Sequence, residues 1–176
     1  MTTYWTLQTE EVWNKAINLG YLEGSEQFAM FPEQYQWMID QMVHRLPGFH
    51  GEYPVWLWIE KPDMRSTGHF SSFTRCVRLK LDLEEDHVLL SDFDDWHMVL
   101  NNSFNADNEI EYDDFYNNKL DITKEQSWER IFELSRVRDP EWHGLSPRLL
   151  QGTTGRIDIS SVKKVEHFVS RKQSEF

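Results

Sequence analysis

The 176-residue chain contains one cysteine, Cys76, which excludes an internal disulfide and any zinc site built from several cysteines. Its longest apolar run, "VWLWI" at residues 55–59, is far shorter than the roughly 18 residues that a membrane span requires. The N-terminus lacks the basic and apolar regions of a signal peptide. From these absences we expect a cytoplasmic protein that has no membrane partner.

Basic residues are also scarce, since 18 Lys and Arg stand against 30 Asp and Glu, which gives a formal net charge of −12. Binding to nucleic acid requires a basic face, so we expect no nucleic-acid partner. Much of the negative charge lies in residues 82–95 and 106–121. These stretches are typical of solvated loops and helix ends, and the alternative is a docking surface for a basic protein partner.

The motifs of several common sites are missing. The sequence has no glycine-rich phosphate-binding motif of the Rossmann or P-loop type and no GxSxG nucleophile motif. The seven histidines show no convincing ligand spacing, so we expect no metal site. Cys76 has apolar neighbours in a predicted strand and is expected to be an inert core residue. Helix capping explains Ser91 and Asp92 near His97 better than a hydrolase triad does.

Aromatic residues are plentiful, at 14 % of the chain, and they dominate the stretch "YPVWLWI" at residues 53–59. In a strand the side chains alternate between faces, so Trp56 and Trp58 share one face and aliphatic residues share the other. We predict that the aliphatic face packs on a helix over residues 32–46. The tryptophan face is predicted to line a groove that is at least partly open to a ligand.

The loop after this strand is rich in hydrogen-bond donors, among them Arg65 and His69. A flat apolar wall beside a donor-rich loop suits a ligand that has an aromatic ring and a phosphate or ribose. We therefore predict that Trp56, Trp58, Arg65 and His69 bind a cofactor. The alternative is that both indoles pack beneath a helix while Arg65 pairs with a surface acid.

Periodicity and capping signals predict the order of the elements. Helices are expected over residues 10–19 after Thr9, over 32–46, from Ser91 or Asp92, and over 124–134 after a Thr123–Gln126 capping box. Strands are expected at 3–8, 53–59, 75–83 and 87–90, and within 148–154, 156–159 and 165–170. The order favours an α+β fold with a mixed or antiparallel sheet. We expect one domain over residues 1–176, with roughly the last six residues disordered.

Two of these elements predict which side chains are buried. The helix over 32–46 has apolar residues at the spacing of one buried face, namely Tyr35, Met38, Ile39, Met42, Val43 and Leu46. The strand over 75–83 alternates between an inward set, Val77, Leu79, Leu81 and Leu83, and an outward set, Arg78, Lys80 and Asp82.

Most of the chain resembles a family of small bacterial proteins known as DUF3841. The stretches that carry this resemblance are "YWTLQTEEVWNKAINLGYL", "YPVWLWIEKPDMR", "LLSDFDDWHMVLNN", "SWERIF", "RDPEWHG" and "LLQGTTGRIDISSVKKVEHF". They extend over nearly the full length of the chain. The resemblance supplies a family and implies no activity.

A second resemblance concerns the two ends of the chain. "YWTLQTEEVWNKAINLGYLEG" and "LLQGTTGRIDISSVKKVEHFV" are laid out like the first and last blocks of compact ADP-ribosyltransferase-like domains. The resemblance implies a split sheet that binds NAD in its cleft, and possible transfer of ADP-ribose. It places the first-strand site on Thr6 or Gln8 and the catalytic acid on Gln151.

This sequence departs from that family at both positions, since the family has His or Arg on its first strand and an acid in its last block. Gln151 lacks the negative charge that offsets a developing oxocarbenium ion, so either another acid supplies that charge or the domain binds a nucleotide or a protein without catalysis. The candidate acids are Glu60, Asp63 and Asp158. Two functions therefore stand: an NAD-dependent ADP-ribosyltransferase-like enzyme, or a non-enzymatic acidic interaction module such as a phage-related or defence-related inhibitor.

Overall fold

The structure, a computed structural model, describes residues 1–25, 30–64 and 70–171. In these residues the strands are β1 (Thr2–Thr9), β2 (Tyr21–Leu22), β3 (Val55–Trp58), β4 (Arg75–Leu83), β5 (Leu89–Asp92), β6 (Leu150–Thr154), β7 (Ile157–Asp158) and β8 (Val162–Val169). The helices are α1 (Glu10–Leu19), α2 (Pro32–Arg45), α3 (Phe93–Leu100), α4 (Glu109–Tyr116), α5 (Lys124–Trp128) and α6 (Pro140–His143).

The strands form a six-stranded sheet in the order β5-β6-β3-β1-β4-β8, and β2 pairs with β7. β1 is antiparallel to both β3 and β4, and β4 is antiparallel to β8. In this register Thr6 lies opposite Leu79, and Leu79 lies opposite Val165. A mostly antiparallel sheet with helices is an α+β fold, so the predicted fold class is confirmed at that level.

The contacts group the chain into two compact units, which we describe separately. Unit 1 comprises Met1–Ala29, Met38–Leu89 and Gly152–Phe176, and unit 2 comprises Met30–Trp37 and Leu90–Gln151. The division passes through α2, β5 and β6. The expected single domain stays a prediction. The expected disorder of the tail concerns residues outside the described range, apart from Arg171.

The core of unit 1 is built on β4, where Val77, Leu79 and Leu81 are fully buried as their alternation predicts. The predicted outward position of Arg78 is wrong, because its side chain is only 7 % exposed. Its Nε donates a hydrogen bond of 2.7 Å to Glu166 on β8, and its Nη1 donates one of 2.7 Å to the Pro62 carbonyl. A partner that lies 88 residues away allows this arginine to be buried.

Helix α1 begins and ends as its sequence predicts. The Thr9 hydroxyl caps it by accepting a hydrogen bond of 3.2 Å from the Val12 amide, and Gly20 ends it with a φ of 86°. Helix α2 buries Met38, Ile39 and Met42, and Leu46 is buried directly after its end, which confirms most of the predicted buried face. Val43 is 49 % exposed, so its predicted burial is wrong.

In unit 2 the predicted helix starts are confirmed at α3 and α5. Asp92 caps α3, and Thr123 with Gln126 forms a complete capping box on α5. The α-helix predicted through residue 134 ends at Trp128 and continues as a 3₁₀ turn over Glu129–Phe132. Helix α4 lies within the acidic stretch 106–121, where the sequence patterns predicted no helix. None of the helices in the described ranges is long and apolar enough to cross a membrane.

The strand expected over residues 87–90 lies slightly later in the chain. A 3₁₀ turn occupies Glu85–His87, and the strand β5 begins at Leu89 and includes Ser91 and Asp92. The strand therefore leads directly into the cap of α3, and Asp92 is both its last residue and the capping residue. This connection determines where the first turn of α3 lies.

Candidate functional site

Unit 2 contains a pocket of about 260 Å³ that is lined mainly by polar side chains. Helix α3, the loop after it and the segment around α6 supply the wall, which consists of Asp94, Asp95, Met98, Asn105, Arg138, Trp142 and His143. Carboxylate, imidazole, guanidinium and indole groups thus face one hollow. Such convergence of polar groups is typical of a ligand-binding or catalytic site.

The cap of α3 places the first carboxylates of the pocket. Oδ1 of Asp92 accepts a hydrogen bond of 3.0 Å from the Asp95 amide, which fixes the first turn of the helix. Trp96 and Val99 are buried in the core of unit 2 and hold the other side of α3. The cap and the two buried residues together hold the first turn of α3, which places Asp94 and Asp95 in the wall of the pocket.

The loop after α3 is held by side chains from distant parts of unit 2. The Asn105 amide donates a hydrogen bond of 2.9 Å to the Ser127 hydroxyl, and Arg130 donates one of 2.9 Å to the Asn105 carbonyl. Nε1 of Trp142 donates a hydrogen bond of 3.1 Å to the Ala106 carbonyl. These bonds fix the backbone at Asn105, and the Asn105 side chain hydrogen-bonds to Asp95.

Helix α6 is short, and its sequence defines both of its ends. Asp139 caps it by accepting a hydrogen bond of 2.9 Å from the Glu141 amide, and Pro140 occupies the first turn. Gly144 ends the helix with φ 81° and ψ 178°, a conformation that is essentially restricted to glycine. The helix thereby presents Trp142 and His143 to the pocket.

Asp95 and His143 form the acid–base pair of the pocket. Nε2 of His143 lies 3.9 Å from Oδ1 of Asp95, and each side chain is only 12 % exposed. Nδ1 of His143 is buried, and no residue in the described ranges hydrogen-bonds to it. The separation exceeds that of a direct hydrogen bond, so each group remains available to a bound molecule.

The pKa of Asp95 is raised above its ordinary value of 3.8. Burial is the main cause, and the nearby Asp92 carboxylate adds to it, because both disfavour the charged form. The hydrogen bond from Asn105 and the charges of His143 and Arg138 oppose this increase. Asp95 therefore keeps its proton to a higher pH than an exposed aspartate does.

Two arginines lie near these carboxylates and are engaged differently. Nε of Arg148 lies 3.5 Å from Oδ2 of Asp92, whose side chain is fully buried, so a nearby cation offsets that charge. Arg138 lines the pocket, and one of its terminal nitrogens lies 3.8 Å from Oδ2 of Asp94. Arg138 is therefore the cation of this group that faces the open space.

The structure brings together four of the residues that the sequence predicts for a nucleotide site, and all four lie in unit 1. The Thr6 hydroxyl donates a hydrogen bond of 2.9 Å to the Trp56 carbonyl, and the Gln8 amide donates one of 2.9 Å to that hydroxyl. The indoles of Trp56 and Trp58 are half-buried, whereas Val55 and Leu57 between them are buried.

Of the three remaining predicted site residues, Gln151 is the one that lies in the described ranges. Gln151 belongs to unit 2, is 5 % exposed and donates a hydrogen bond of 3.3 Å to the Ser91 hydroxyl. Arg65 and His69 lie outside the described residues. Of the alternative acids, Asp158 is exposed, and its hydrogen bonds to Ser160 lower its pKa. Glu60 and Asp63 are exposed as well.

The sequence patterns did not predict the pocket in unit 2. Helix capping accounted for Asp92, and the histidines showed no common spacing. His143 lies 48 positions after Asp95, so no local pattern links the two residues. One usable signal was present in "RDPEWHG" at 138–144, where Asp-Pro starts a helix and Gly ends it. That pattern predicts a single helical turn that ends at His143, with Arg138 directly before its cap.

No group of three or more His, Cys, Asp or Glu side chains that could hold a metal ion occurs in the part of the chain that the structure describes. The protein therefore has an α+β fold and a polar pocket whose wall contains carboxyl groups, an imidazole and a guanidinium.

The chain belongs to the family described as "Domain of unknown function (DUF3841)", whose profile matches residues 3–125. No curated protein and no solved structure matches the chain. The matched segment includes Asp94, Asp95 and Asn105, whereas Arg138 and His143 follow it.

Proposed function

We propose that the chain is an enzyme that acts on a small molecule by general acid–base catalysis in the pocket between α3 and α6. The observation that carries this proposal is the placement of Asp95 and His143, 3.9 Å apart and largely buried, in the wall of one cavity. A structural ion pair would be expected at about 2.7–2.9 Å and closed to ligands. Here the two groups are separated and both border open space.

The two groups divide the chemistry according to their surroundings. Asp95, whose pKa is raised by burial, donates a proton to a basic atom of the substrate from its protonated form. His143 accepts a proton from the substrate or from a water that attacks it. One proton leaves the enzyme and one returns, so the enzyme is unchanged after the reaction, and where water attacks, that water is the second reactant and one bond of the substrate breaks. Placing two titratable groups in different environments is how one site provides both an acid and a base.

A consumption assay tests this proposal. The protein is incubated with a defined panel of small carboxylates, phosphate esters and nucleotides including NAD, and mass spectrometry identifies what is consumed. General acid–base catalysis contributes about 10²–10⁴-fold in rate, so Asp95→Asn and His143→Gln should each lower turnover by about that factor.

The matched control for this assay is His97→Gln, since His97 is exposed and absent from the pocket wall. This variant should retain the wild-type rate. Turnover that survives in both site variants would contradict the proposal, and so would a panel from which nothing is consumed.

A second candidate function is the binding of NAD or a related nucleotide on the tryptophan face of β3, with possible transfer of ADP-ribose. Two observations favour it: the indoles of Trp56 and Trp58 are half-buried, and Thr6 and Gln8 are hydrogen-bonded beside this strand. A half-buried indole pair offers a flat surface on which a base or nicotinamide ring can stack.

Tryptophan fluorescence during addition of NAD tests the second candidate. Quenching that saturates in the wild type and disappears in Trp58→Ala would support binding on β3. Trp142→Phe serves as the control because Trp142 lines the pocket of unit 2. Loss of binding in the Trp142 variant alone, or no binding at millimolar NAD, would overturn the β3 site.

A third candidate is docking of a basic protein partner on α4. Helix α4 begins with Glu109 and Glu111 and is exposed at Ile110, Asp113 and Tyr116. Charged residues around an exposed apolar side chain are a common composition of polar protein interfaces. This candidate is independent of any catalysis in the pocket.

A further inference from the structure

Arg138 is the least engaged arginine of unit 2. Arg130 and Arg136 both donate hydrogen bonds to carboxylates, and Arg148 donates to two backbone carbonyls. In the described residues, the guanidinium of Arg138 donates no hydrogen bond, and its one ion pair is the 3.8 Å contact with Asp94. A charge-assisted hydrogen bond is about 1 Å shorter than that contact.

The Arg138 side chain is only 17 % exposed, and it lines the pocket. A guanidinium carries five N–H donors in a fixed planar fork, and none of the Arg138 nitrogens is both buried and without a partner, so these donors are open to solvent or to a ligand. Asp94 is 51 % exposed, so water competes for its carboxylate. Arg138 therefore faces the cavity with donors that its own protein leaves available.

We propose that the molecule bound in this pocket carries a carboxylate or phosphate group, and that Arg138 binds this group with its guanidinium. The inference rests on the proposed function, because it names the class of substrate for the same site. The planar guanidinium fork can donate two parallel hydrogen bonds to two oxygens of a carboxylate or of a phosphate, and the opposite charges strengthen these bonds.

The carboxylates in the wall do not prevent an anion from binding. Asp92 is not part of the wall and lies beside Arg148, and burial raises the pKa of Asp95, so that carboxyl carries less negative charge at a given pH than an exposed aspartate does. Asp94 is then the one wall carboxylate that competes directly with the ligand for Arg138. Removing its charge should strengthen anion binding, an effect that a purely structural Asp94–Arg138 pair would not produce.

The test is an NMR titration that follows the Nε–H signal of Arg138, assigned by its loss in Arg138→Gln. Inorganic phosphate and acetate are added separately, with chloride at matched ionic strength as the reference. We expect a saturable shift with phosphate, acetate or both, and the preferred anion identifies the source of the oxyanion. No saturable shift with either anion would overturn the inference.

Three variants sharpen the titration. Arg138→Gln should weaken anion binding by about tenfold or more, as measured on neighbouring amide signals. Asp94→Asn should strengthen it about threefold, whereas Asp113→Asn, which makes the same charge change on exposed α4, should leave it unchanged. Equal effects of the Asp94 and Asp113 variants would mean that only net charge matters, which would also overturn the inference.

The outcome is separable from that of the proposed function by means of Asp95→Asn. This variant should keep the anion-dependent shift of Arg138, because Asp95 is not the group that binds the anion. If the shift persists while no turnover is found, the pocket binds anions without catalysis and the proposed function alone fails. If turnover depends on Asp95 while the shift is absent, the substrate is not anchored by Arg138 and this inference alone fails.

Discussion

At the scale of single residues, the carboxyl of Asp95 is unusual because it is buried. Most aspartates are exposed, and a buried one requires a specific partner to remain charged. Asp95 has a side-chain hydrogen bond with Asn105 and lies 3.9 Å from the His143 imidazole. These interactions do not fully offset the increase in its pKa that burial and the neighbouring Asp92 cause. Functional residues often carry such a cost in stability, because the same burial prepares them for chemistry.

The raised pKa of Asp95 predicts how this residue affects the stability of the fold as pH changes. Its pKa is raised in the folded protein, so its contribution is most favourable below its ordinary value of 3.8 and is lost as the pH rises through the raised pKa. Asp95→Asn removes this ionisation. We expect the variant to be more stable than the wild type at neutral pH by about 1 kcal/mol, and the difference to shrink toward about pH 4.

Chemical denaturation at a series of pH values measures that difference in the free energy of unfolding. The control is Asp113→Asn, which makes the same charge change at an exposed position of α4. Its difference from the wild type should be small and nearly independent of pH. A constant difference for Asp95→Asn across the range would show that ionisation of Asp95 does not limit stability.

At the scale of elements, α6 is too short to maintain its own position in the wall of the pocket. The helix has four residues, from Pro140 to His143, too few to be stable alone. Its position depends on the Asp139 cap, the bond from Trp142 to the Ala106 carbonyl and the backbone reversal at Gly144. A change that disturbs this turn should therefore displace His143 as well as destabilise the fold.

Gly144→Ala tests this dependence. An alanine at φ 81° and ψ 178° is strained, so the variant should lose about 2 kcal/mol of unfolding free energy. Gly20→Ala is the matched control, because Gly20 also has a positive φ and neither position has an atom within 4 Å of an added Cβ. The Gly20 variant should lose about 1 kcal/mol, since its conformation is left-handed helical.

The two glycine variants should differ most in the pocket. Phosphate or acetate binding, followed by NMR, should weaken in Gly144→Ala and stay at the wild-type level in Gly20→Ala. If both variants bind equally well, α6 does not control the geometry of the site. The comparison separates a general loss of stability from a local displacement of Trp142 and His143.

Sequence patterns predicted the elements that bury a continuous apolar face or carry a complete cap. The strand β4 and the helices α1, α2 and α5 are of this kind. Helix α4 was missed because none of its residues is buried, so its sequence has no apolar period to detect. Its cap, Asn108, was the remaining signal.

The side chains that the sequence analysis placed wrongly depend on partners that are distant in sequence. Arg78 is buried because β8 brings Glu166 beside it, and no local pattern contains that pairing. The pocket is similar, since Asp95, Asn105 and His143 come from three separate segments. The alternation of a strand predicts which face a residue occupies, but not what will cover that face.

At the scale of the whole molecule, the net charge of −12 affects how strongly and how fast the protein associates with charged macromolecules. Such a charge disfavours contact with acidic partners and speeds association with basic ones, in a way that salt weakens. Part of the negative charge is used internally, as Asp107 pairs with Arg136 and Glu111 pairs with Arg130. The charges that remain available on α4 are therefore those of its exposed residues.

If α4 is a docking surface, its exposed acidic residues should contribute more to the binding of a basic peptide than the same number of exposed acidic residues elsewhere on the protein. The double variant Glu109→Gln/Asp113→Asn should weaken binding of a decalysine peptide by about tenfold at low salt. The control Glu125→Gln/Glu141→Gln removes two exposed charges outside α4 and should have a much smaller effect. Calorimetric titrations at two salt concentrations compare them, since a specific surface keeps its preference while the overall affinity falls. Equal losses in both variants would mean that the peptide responds only to net charge, and α4 would then have no particular role in binding.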